Sequence, residues 1–525
     1  MRRRPLRPAP LRPRPRRLPR LGPRPATAAA ALPLLLAAAL TGCTSAPAAL
    51  QGPAARQLPL PPGIRVAFNH RGESRYRSPI SGKWRQGDDL EALLLESIAA
   101  ARQELVVAVQ ELSLPRVAEA LVAAQRRGVR VRVVLENTYA TPWSQLTPAT
   151  LPPHQRRRVK QLRALGWGDA VAILQDGDVP LLDDTADGSR GSGLMHHKFL
   201  VADRRVVVTG SANFSPSCIH GDADDPRSRG NVNHLMRLES AALAALFERE
   251  FERMWGDGPG GAPDSRFGLA KESGPPQRVR IGDTTVEVLF SPHRRRNPHH
   301  GLAWLESQLA GVRQRLDLSL FVFSGQNLTE TLGQLRRQGV RIRLVADPGF
   351  AHRSFSEVLD LMALELPDHH CKIEAGNRPW GEAHEGVGTP QLAGGDKLHH
   401  KFAVLDGRRL ISGSFNWSPS AAHQNDETLL RIDSPLLARH FEAEMDRLWR
   451  GAELGMTERL ERRRQRISRR CGWVRRERVG RERDAEKKGG EKRAKVEKMP
   501  TESAAKPWIR PPAPAPSPPS STPST

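Results

Sequence analysis

Tyrosine is nearly missing from this chain: there are two in 525 residues, and Phe, Trp and Tyr together make up 5%. A platform of aromatic rings for stacking the bases of a single strand is therefore not evident. Cysteine is also scarce, with four residues, no Cys-x-x-Cys and no His/Cys cluster at metal-ligand spacing, which argues against a zinc site. No long apolar run is present either. The stretch Ala28 to Leu40 is thirteen residues, too short for a spanning helix, which needs about 20.

What the chain has in excess is positive charge, +24 overall, but it is concentrated at the ends. Residues 1–42 hold ten Arg and no acid, residues 451–510 hold twenty Lys/Arg against ten Asp/Glu, and the body between keeps only +4. The charge therefore does not mark the body as a nucleic-acid binder. The Arg/Pro leader, the short apolar run and Leu40-Thr41-Gly42-Cys43 resemble a bacterial lipoprotein signal, in which the cysteine is lipidated and becomes the first mature residue. That resemblance implies an exported protein anchored to the outer face of the cell membrane through Cys43. Cys218, Cys371 and Cys471 then remain, and three thiols cannot all pair within one chain.

The body repeats itself. Arg-Arg-Gly-Val-Arg-Val-Arg-Val-Val, ending a helix-plus-strand pattern over Ala118–Glu136, returns as Arg-Gln-Gly-Val-Arg-Ile-Arg-Leu-Val within Thr329–Asp347. Gly128 matches Gly339 at an offset of 211, and Arg102-Gln103 matches Arg313-Gln314 at the same offset. Register held across a helix and a strand is the mark of duplication. Strand, helix and strand patterns (Ile64–Phe68, Leu90–Ala101, Leu105–Val109, Val117–Arg127, Val129–Leu135) place each copy in the α/β class. The expected divisions are a signal at 1–42, a spacer at 43–63, a first domain at 64–255, a Gly/Pro/Ser linker at 256–277, a second domain at 278–452, opened by the strand Val286–Phe290, and a basic, then Pro/Ser-rich disordered tail at 453–525, with a basic helix within Leu460–Val479 on an anionic membrane surface as the alternative to a solvated charge run.

Each copy also carries one composite motif. The first reads His196, Lys198, Asp203, Gly210, Ser211, Asn213; the second reads His399, Lys401, Asp406, Gly413, Ser414, Asn416. Both follow H-x-K-x4-D-x6-G-S-x-N. Six fixed positions make a chance match on the order of 10⁻⁸ per starting point, and here there are two. A phosphodiester anion repels nucleophiles, so a metal-free site needs a neutral nitrogen, cationic clamps and a proton donor, which two His and two Lys supply. No carboxylate cluster suited to Mg²⁺ accompanies the motifs, and no cofactor or metal is expected.

The double motif resembles the active-site signature of the phospholipase D superfamily over roughly residues 64–450, and the second copy is most similar to its nuclease and mitochondrial cardiolipin hydrolase branch. The resemblance implies a duplicated α/β/α sandwich, packed as a pseudo-dimer within a monomer, with one shared active site. It implies that His196 and His399 divide the work of nucleophile and acid through a covalent phosphohistidine. Lys198 and Lys401 would hold the phosphate, with Asn213, Asn416 and the hydroxyls of Ser211 and Ser414. Asp203 and Asp406 would be structural. Alternation along the strand turns His197 and His400 to the opposite face, as packing residues.

The family's Asn-x-Glu, whose carboxylate orients a catalytic histidine, is matched by Asn425-Asp426-Glu427, while Asn231-Val232-Asn233 puts an amide in its place in the first copy. A carboxylate at Glu427 would favour His399 as the nucleophile; family precedent favours His196. The substrate is equally open. Membrane tethering and a near-neutral body point to phospholipid head groups, the motif wording to DNA or RNA, with Trp380 and Trp417 as rings that could lie near the site. A synthase-like transphosphatidylase and an inactive lipid-binding module are the remaining readings.

Overall fold

A computed structural model describes residues 58–188, 193–271 and 273–472. Cys43, the signal and the tail beyond Gly472 lie outside the described residues. Within the first copy the strands are β1 (Ile64–Phe68), a hairpin of β2 (Arg75–Arg77) and β3 (Trp84–Gln86), β4 (Glu104–Val109), β5 (Arg130–Leu135), β6 (Leu181–Asp183), β7 (Lys198–Ala202), β8 (Val206–Gly210) and β9 (His234–Glu239). The second copy has β10 (Gln277–Ile281), β11 (Thr284–Ser291), β12 (Arg315–Leu320), β13 (Arg341–Ala346), β14 (Val387–Thr389), β15 (Lys401–Leu405), β16 (Arg409–Gly413), β17 (Glu427–Asp433) and β18 (Glu453–Leu454). They form two large sheets, β1-β9-β8-β7-β4-β5-β6 and β10-β11-β17-β16-β15-β12-β13-β14-β18. The second repeats the first and adds a strand at each edge.

Why each copy is a three-layer sandwich can be read from β4, which is apolar throughout after Glu104. Leu105, Val107 and Val109 enter one core, with the helices Leu90–Ala100 and Pro115–Arg126, while Val106 and Ala108 enter another. Alternation sends neighbours to opposite faces, so a strand covered on both sides must be apolar at every position. The core behind β4's second face is common to both copies. It joins Phe199, Val201 and Phe247 of the first half to Phe402, Val404 and Phe441 of the second, through the helices Ala241–Trp255 and Pro435–Trp449. One continuous apolar core thus holds the duplicated halves together.

Two parallel backbone bridges cross between the copies beside the motif strands. His196 N donates to Asp426 O at 2.9 Å and Asp426 N to Leu194 O at 2.9 Å; His399 N donates to Val232 O at 3.0 Å and Val232 N to Lys397 O at 2.7 Å. Beneath them, Lys271 is fully buried between Glu250 and Asp426. The linker expected at 256–277 thus places a cation inside the interface. Leaving Lys271 unpaired would be costly, and the two carboxylates offset that cost.

The domain boundary drawn at 452 is corrected by the structure. β18 pairs with β14, and a helix over Glu458–Cys471 buries Leu460 and is tied to the body by a disulfide between Cys471 and Cys371. Seven arginines in fourteen residues hide this helix in a composition profile; its few apolar residues, Leu460 and Ile467, are what pack on the second copy. The disulfide closes a separation of 100 residues, for which chain entropy alone gives about 4.7 kcal/mol. Cys371→Ser/Cys471→Ser should therefore lower the thermal midpoint and expose the helix to proteolysis, and dithiothreitol should do the same to the parent. An unchanged melt and an unchanged digestion pattern would count against a structural bond.

Candidate active site

His196 and His399 precede β7 and β15, at the ends where the cross-copy bridges run. His196 is 6% exposed and His399 7%. The structure brings both motifs to this one interface, and it does so with crossed partners. Nδ1 of His196 donates to Oε2 of Glu427, from the other copy, at 2.8 Å. Nδ1 of His399 donates to Oδ1 of Asn233, again from the other copy, at 3.0 Å. A carboxylate can only accept, which fixes the His196 tautomer. The Asn233 amide is fixed as well, because its Nδ2 donates to Cys218 O at 2.9 Å and to Asn231 O at 3.0 Å. Both imidazoles therefore carry hydrogen at Nδ1 and leave Nε2 as the working atom.

The expectation that Glu427 orients His399 is thereby corrected: it orients His196. The physical reason is the bridge itself. Backbone pairing of residues 194–196 with Asp426 sets Glu427 beside the first-copy histidine, whereas its own copy's histidine is paired beside Val232 and Asn233. A second correction concerns Ser211 and Ser414, expected at the phosphate. Both are fully buried; Ser211 donates to Asn233 Oδ1 at 2.8 Å and Ser414 to Glu427 Oε2 at 2.6 Å, and each accepts a backbone N–H, from His234 and Thr428. They hold the orienting residues in place.

Lys198 and Lys401 are buried, each curling back to the carbonyl of its own histidine, Lys198 Nζ to His196 O at 2.8 Å and Lys401 Nζ to His399 O at 2.7 Å. Burial pulls the Lys198 ammonium down to about 8, and burial together with Lys198 pulls Lys401 well below the ordinary lysine value. Burial likewise lowers His196 to about 4 against the opposing pull of Glu427, and holds His399 well below its usual value with Lys401 and Lys198 adding to the effect. Burial resists ionisation of Glu427, yet His196, Lys198 and the Ser414 hydrogen bond outweigh it and keep the carboxylate charged. The site is thus short of negative charge, and an entering phosphodiester supplies it.

Around this centre, Asn213 donates Nδ2 to Gln110 at 3.2 Å, and the Oδ1 atoms of Asn213 and Asn416 are buried with no partner among the described residues. Both oxygens only accept, so a donor such as a hydroxyl or a water is what can complete them, and a phosphate oxygen can be held only by the Nδ2 side of these amides. Asp203 and Asp406 lie elsewhere. Each occupies a left-handed turn after its motif strand, φ 50° and 51°, and caps three successive backbone N–H groups, those of Arg102, Gln103 and Glu104 or of Arg313, Gln314 and Arg315. Asp203 lies five positions beyond Lys198 along the strand, roughly 17 Å. The structure places His197 between Thr428 and Glu250, and His400 between His234 and Glu444, in the shared core.

Trp417 is fully buried against Phe323, and Trp380 sits over Arg336 on the outer helix Gln326–Arg337, so neither ring stands with the catalytic groups. Sequence reasoning missed Gln110 and Phe321, which hold matching backbone positions in the two copies, Gln110 accepting from Asn213 and Phe321 packing against His399. The offset of 211 that revealed the duplication would have paired them.

A duplicated α/β body with two H-x-K strands meeting at one buried site defines a phospholipase D type of fold. The family described as "Cardiolipin synthase, PLD-like domain" matches residues 94–255 and 305–449, more than half of the sequence, and the chain belongs to the phospholipase D superfamily. Mitochondrial cardiolipin hydrolase of Xenopus laevis is 29% identical over 171 residues, 32% of this chain and 71% of that protein. The Homo sapiens protein of the same name is 32% identical over 154 residues, 29% of this chain and 53% of that one. Among solved structures, phosphatidylserine synthase of Haemophilus influenzae Rd KW20 covers 78% of this chain and 93% of its own at 13% identity and a TM-score of 0.48.

The crossed pairing makes the two orienting residues unequal. Glu427→Gln should cut kcat/KM on a soluble phosphodiester by roughly 10² to 10⁴-fold, and Asn233→Ala should cost much less. Glu427 raises the His196 pKa, so its removal should also move the acid limb of the pH profile to lower pH. Equal losses in the two variants, or an alkaline shift, would overturn the assignment.

Proposed function

We propose that the protein is a phosphodiesterase that hydrolyses phospholipid head-group phosphodiester bonds, with His196 as nucleophile and His399 as general acid and base. The observation that carries this reading is the Glu427–His196 hydrogen bond. Attack by Nε2 on phosphorus leaves positive charge on the imidazole ring, and only His196 has a buried anion against Nδ1 to stabilise it. As the N–P bond forms, the P–O bond on the opposite side breaks, and the departing oxygen takes a proton from Nε2 of His399. Water then attacks phosphorus, giving its proton to His399, and His196 leaves. Lys198, Lys401 and the Asn213 and Asn416 amides hold the non-bridging oxygens throughout. His399 meets its acid role only once the phosphate anion offsets the burial and the two lysines that suppress its protonation, so substrate binding itself arms the acid.

The relatives named cardiolipin hydrolase support a lipid substrate, and a low aromatic content gives single-stranded nucleic acid little to stack on. Because both histidines serve one site in one chain, the protein works as a monomer. His196→Ala and His399→Ala, assayed in EDTA, should each lower turnover by several orders of magnitude rather than by half, since residues acting as a unit are grossly non-additive. Rapid quenching with a labelled substrate should trap phosphohistidine at His196 in the parent and none in His196→Ala. Label on His399 instead, or half-activity in both variants, would sink the mechanism.

The chain is further proposed to act at the outer face of a membrane. Leu40–Cys43 would supply a lipid anchor, and a disulfide between Cys371 and Cys471 suits an oxidising compartment. Cys43→Ser should move the protein from the membrane fraction to the soluble fraction; a mutant that fractionates like the parent would refute the anchor.

A further inference from the structure

Where the loop after β13 meets the helix Glu458–Cys471, positive charge gathers without an acid to balance it. The helix holds seven arginines and two glutamates. Both glutamates are taken, Glu458 by Arg462 at 2.8 Å and Glu461 by Arg464 at 2.8 Å. Arg459, Arg463 and Arg466 remain, spaced i, i+4 and i+7 along one stripe of the helix, and none of the three has an ion-pair partner among the described residues. Like charges at this spacing destabilise a helix. The stripe therefore costs stability unless an anion covers it.

The facing loop adds to the charge. Ala351 of the loop and Leu460 of the helix enter the same apolar core, which brings their chain neighbours His352 and Arg459 to one place. His352 is 6% exposed and its Nε2 is buried with no hydrogen-bond partner among the described residues, as is the Nε of Arg463. Burial lowers the His352 imidazole to about 4, with Arg459 and Arg463 adding to the effect. Burial, Arg353, Arg466 and Arg459 together pull Arg463 below its ordinary value. Four guanidinium groups and a buried imidazole thus converge, and the disulfide between Cys371 and Cys471 clamps the far end of the helix that carries three of them. In the first copy, Thr141 and Pro142 stand where His352 and Arg353 do, at the offset of 211.

We propose that His352, Arg353, Arg459, Arg463 and Arg466 form a phosphate-binding site separate from the catalytic centre, and that its ligand is a dianionic phosphate, free or as a monoester. A monoester presents three terminal oxygens and nearly two charges, which suits several guanidinium forks at once, whereas a diester presents one charge and two such oxygens. The anion would also raise the basicity of His352 and take a hydrogen bond from its Nε2. Occupancy has a route to the chemistry. Arg353 Nε donates to Gly349 O at 3.0 Å, Phe350 packs against Phe321 with ring centres 4.7 Å apart, and Phe321 against His399 at 4.6 Å. Asp347, at the start of the same loop, accepts the N–H of Leu398 at 3.0 Å. A phosphate held between loop and helix would therefore stiffen the segment that braces His399. Head-group hydrolysis leaves the lipid phosphate as a monoester, so the reaction proposed above makes one such ligand; that source rests on the proposed function, and the site itself does not.

Amide hydrogen exchange on the full-length, oxidised protein separates this site from the catalytic one, because each segment is read by itself. Inorganic phosphate should slow exchange over 350–356 and 458–467. The concentration giving half that protection should rise by about tenfold or more in Arg463→Gln and in His352→Asn, the equivalent of one lost charge-assisted contact, while protection beside His196 and His399 stays as in the parent. In phosphate-free buffer, Arg463→Gln should melt no lower than the parent, since it eases like-charge crowding, and should hydrolyse bis(p-nitrophenyl) phosphate at the parent's rate. A second arm uses phosphatidylcholine vesicles with and without phosphatidic acid, in the His196→Ala background so that no monoester is formed during the measurement. Protection by the phosphatidic acid vesicles but not by inorganic phosphate, weakened by Arg463→Gln, assigns the site to lipid phosphate; protection by both assigns it to the phosphate group from either source. If neither slows exchange over these segments, or if both variants are protected as well as the parent, the site is overturned and the phosphodiesterase reading stands untouched.

Discussion

The strand bridge between residues 194–196 of one copy and Asp426 of the other, with its twin between Val232 and 397–399, is the constraint on which the site depends. Each bridge delivers an orienting side chain to a histidine it does not share a copy with. The same backbone pairing fixes Nδ1 of both imidazoles, fixes the roots of Leu194 and Lys397, and seats the motif strands over a common apolar core. Without it there would be two half-sites, each with a lysine and a histidine and no partner to set the tautomer.

Duplication supplied two equal halves, and divergence made them unequal at the positions that matter chemically. Glu427 against Asn233 separates a histidine that faces an anion from one that faces a neutral amide. Lys271 between Glu250 and Asp426, and Arg447 against Glu444, neutralise the two interface carboxylates by different means. Phe321 stands where the first copy has Gln110, and Lys397 where it has Leu194. A symmetric pair of sites can bind a phosphate. Distinguishing attack from departure requires the asymmetry.

Electrostatics explain why so polar a centre tolerates burial. Burial disfavours charge on all four groups, and the lysines add to the effect at the histidines and at Lys401, so the histidines stay neutral and the lysines lose part of their affinity for protons. The strain is relieved by the ligand the site is built for. An anionic phosphodiester restores the lysines and raises the basicity of the histidines, which couples occupancy to catalytic readiness.

The duplication, the α/β class and the residues of the double motif were all legible in sequence, because repeats at a fixed offset and alternation along a strand are local properties of the chain. The strands at Ile64–Phe68 and Thr284–Ser291 and the buried β4 follow from the same local patterning. The packing of the helix Glu458–Cys471 on the body escaped because its arginines outnumber the two apolar residues that pack it and favour a solvated charge run, and the choice of Cys371 as partner for Cys471 depends on two segments 100 residues apart meeting in space. The partner of each catalytic histidine escaped for a deeper reason. Glu427 follows His399 by 28 residues and His196 by 231, and sequence proximity favoured the wrong one. Sequence by itself determined which side chains make up the paired motifs; only tertiary structure decided which faces which, because a hydrogen bond answers to distance in space, and the pairing of strands across the pseudo-dimer sets that distance.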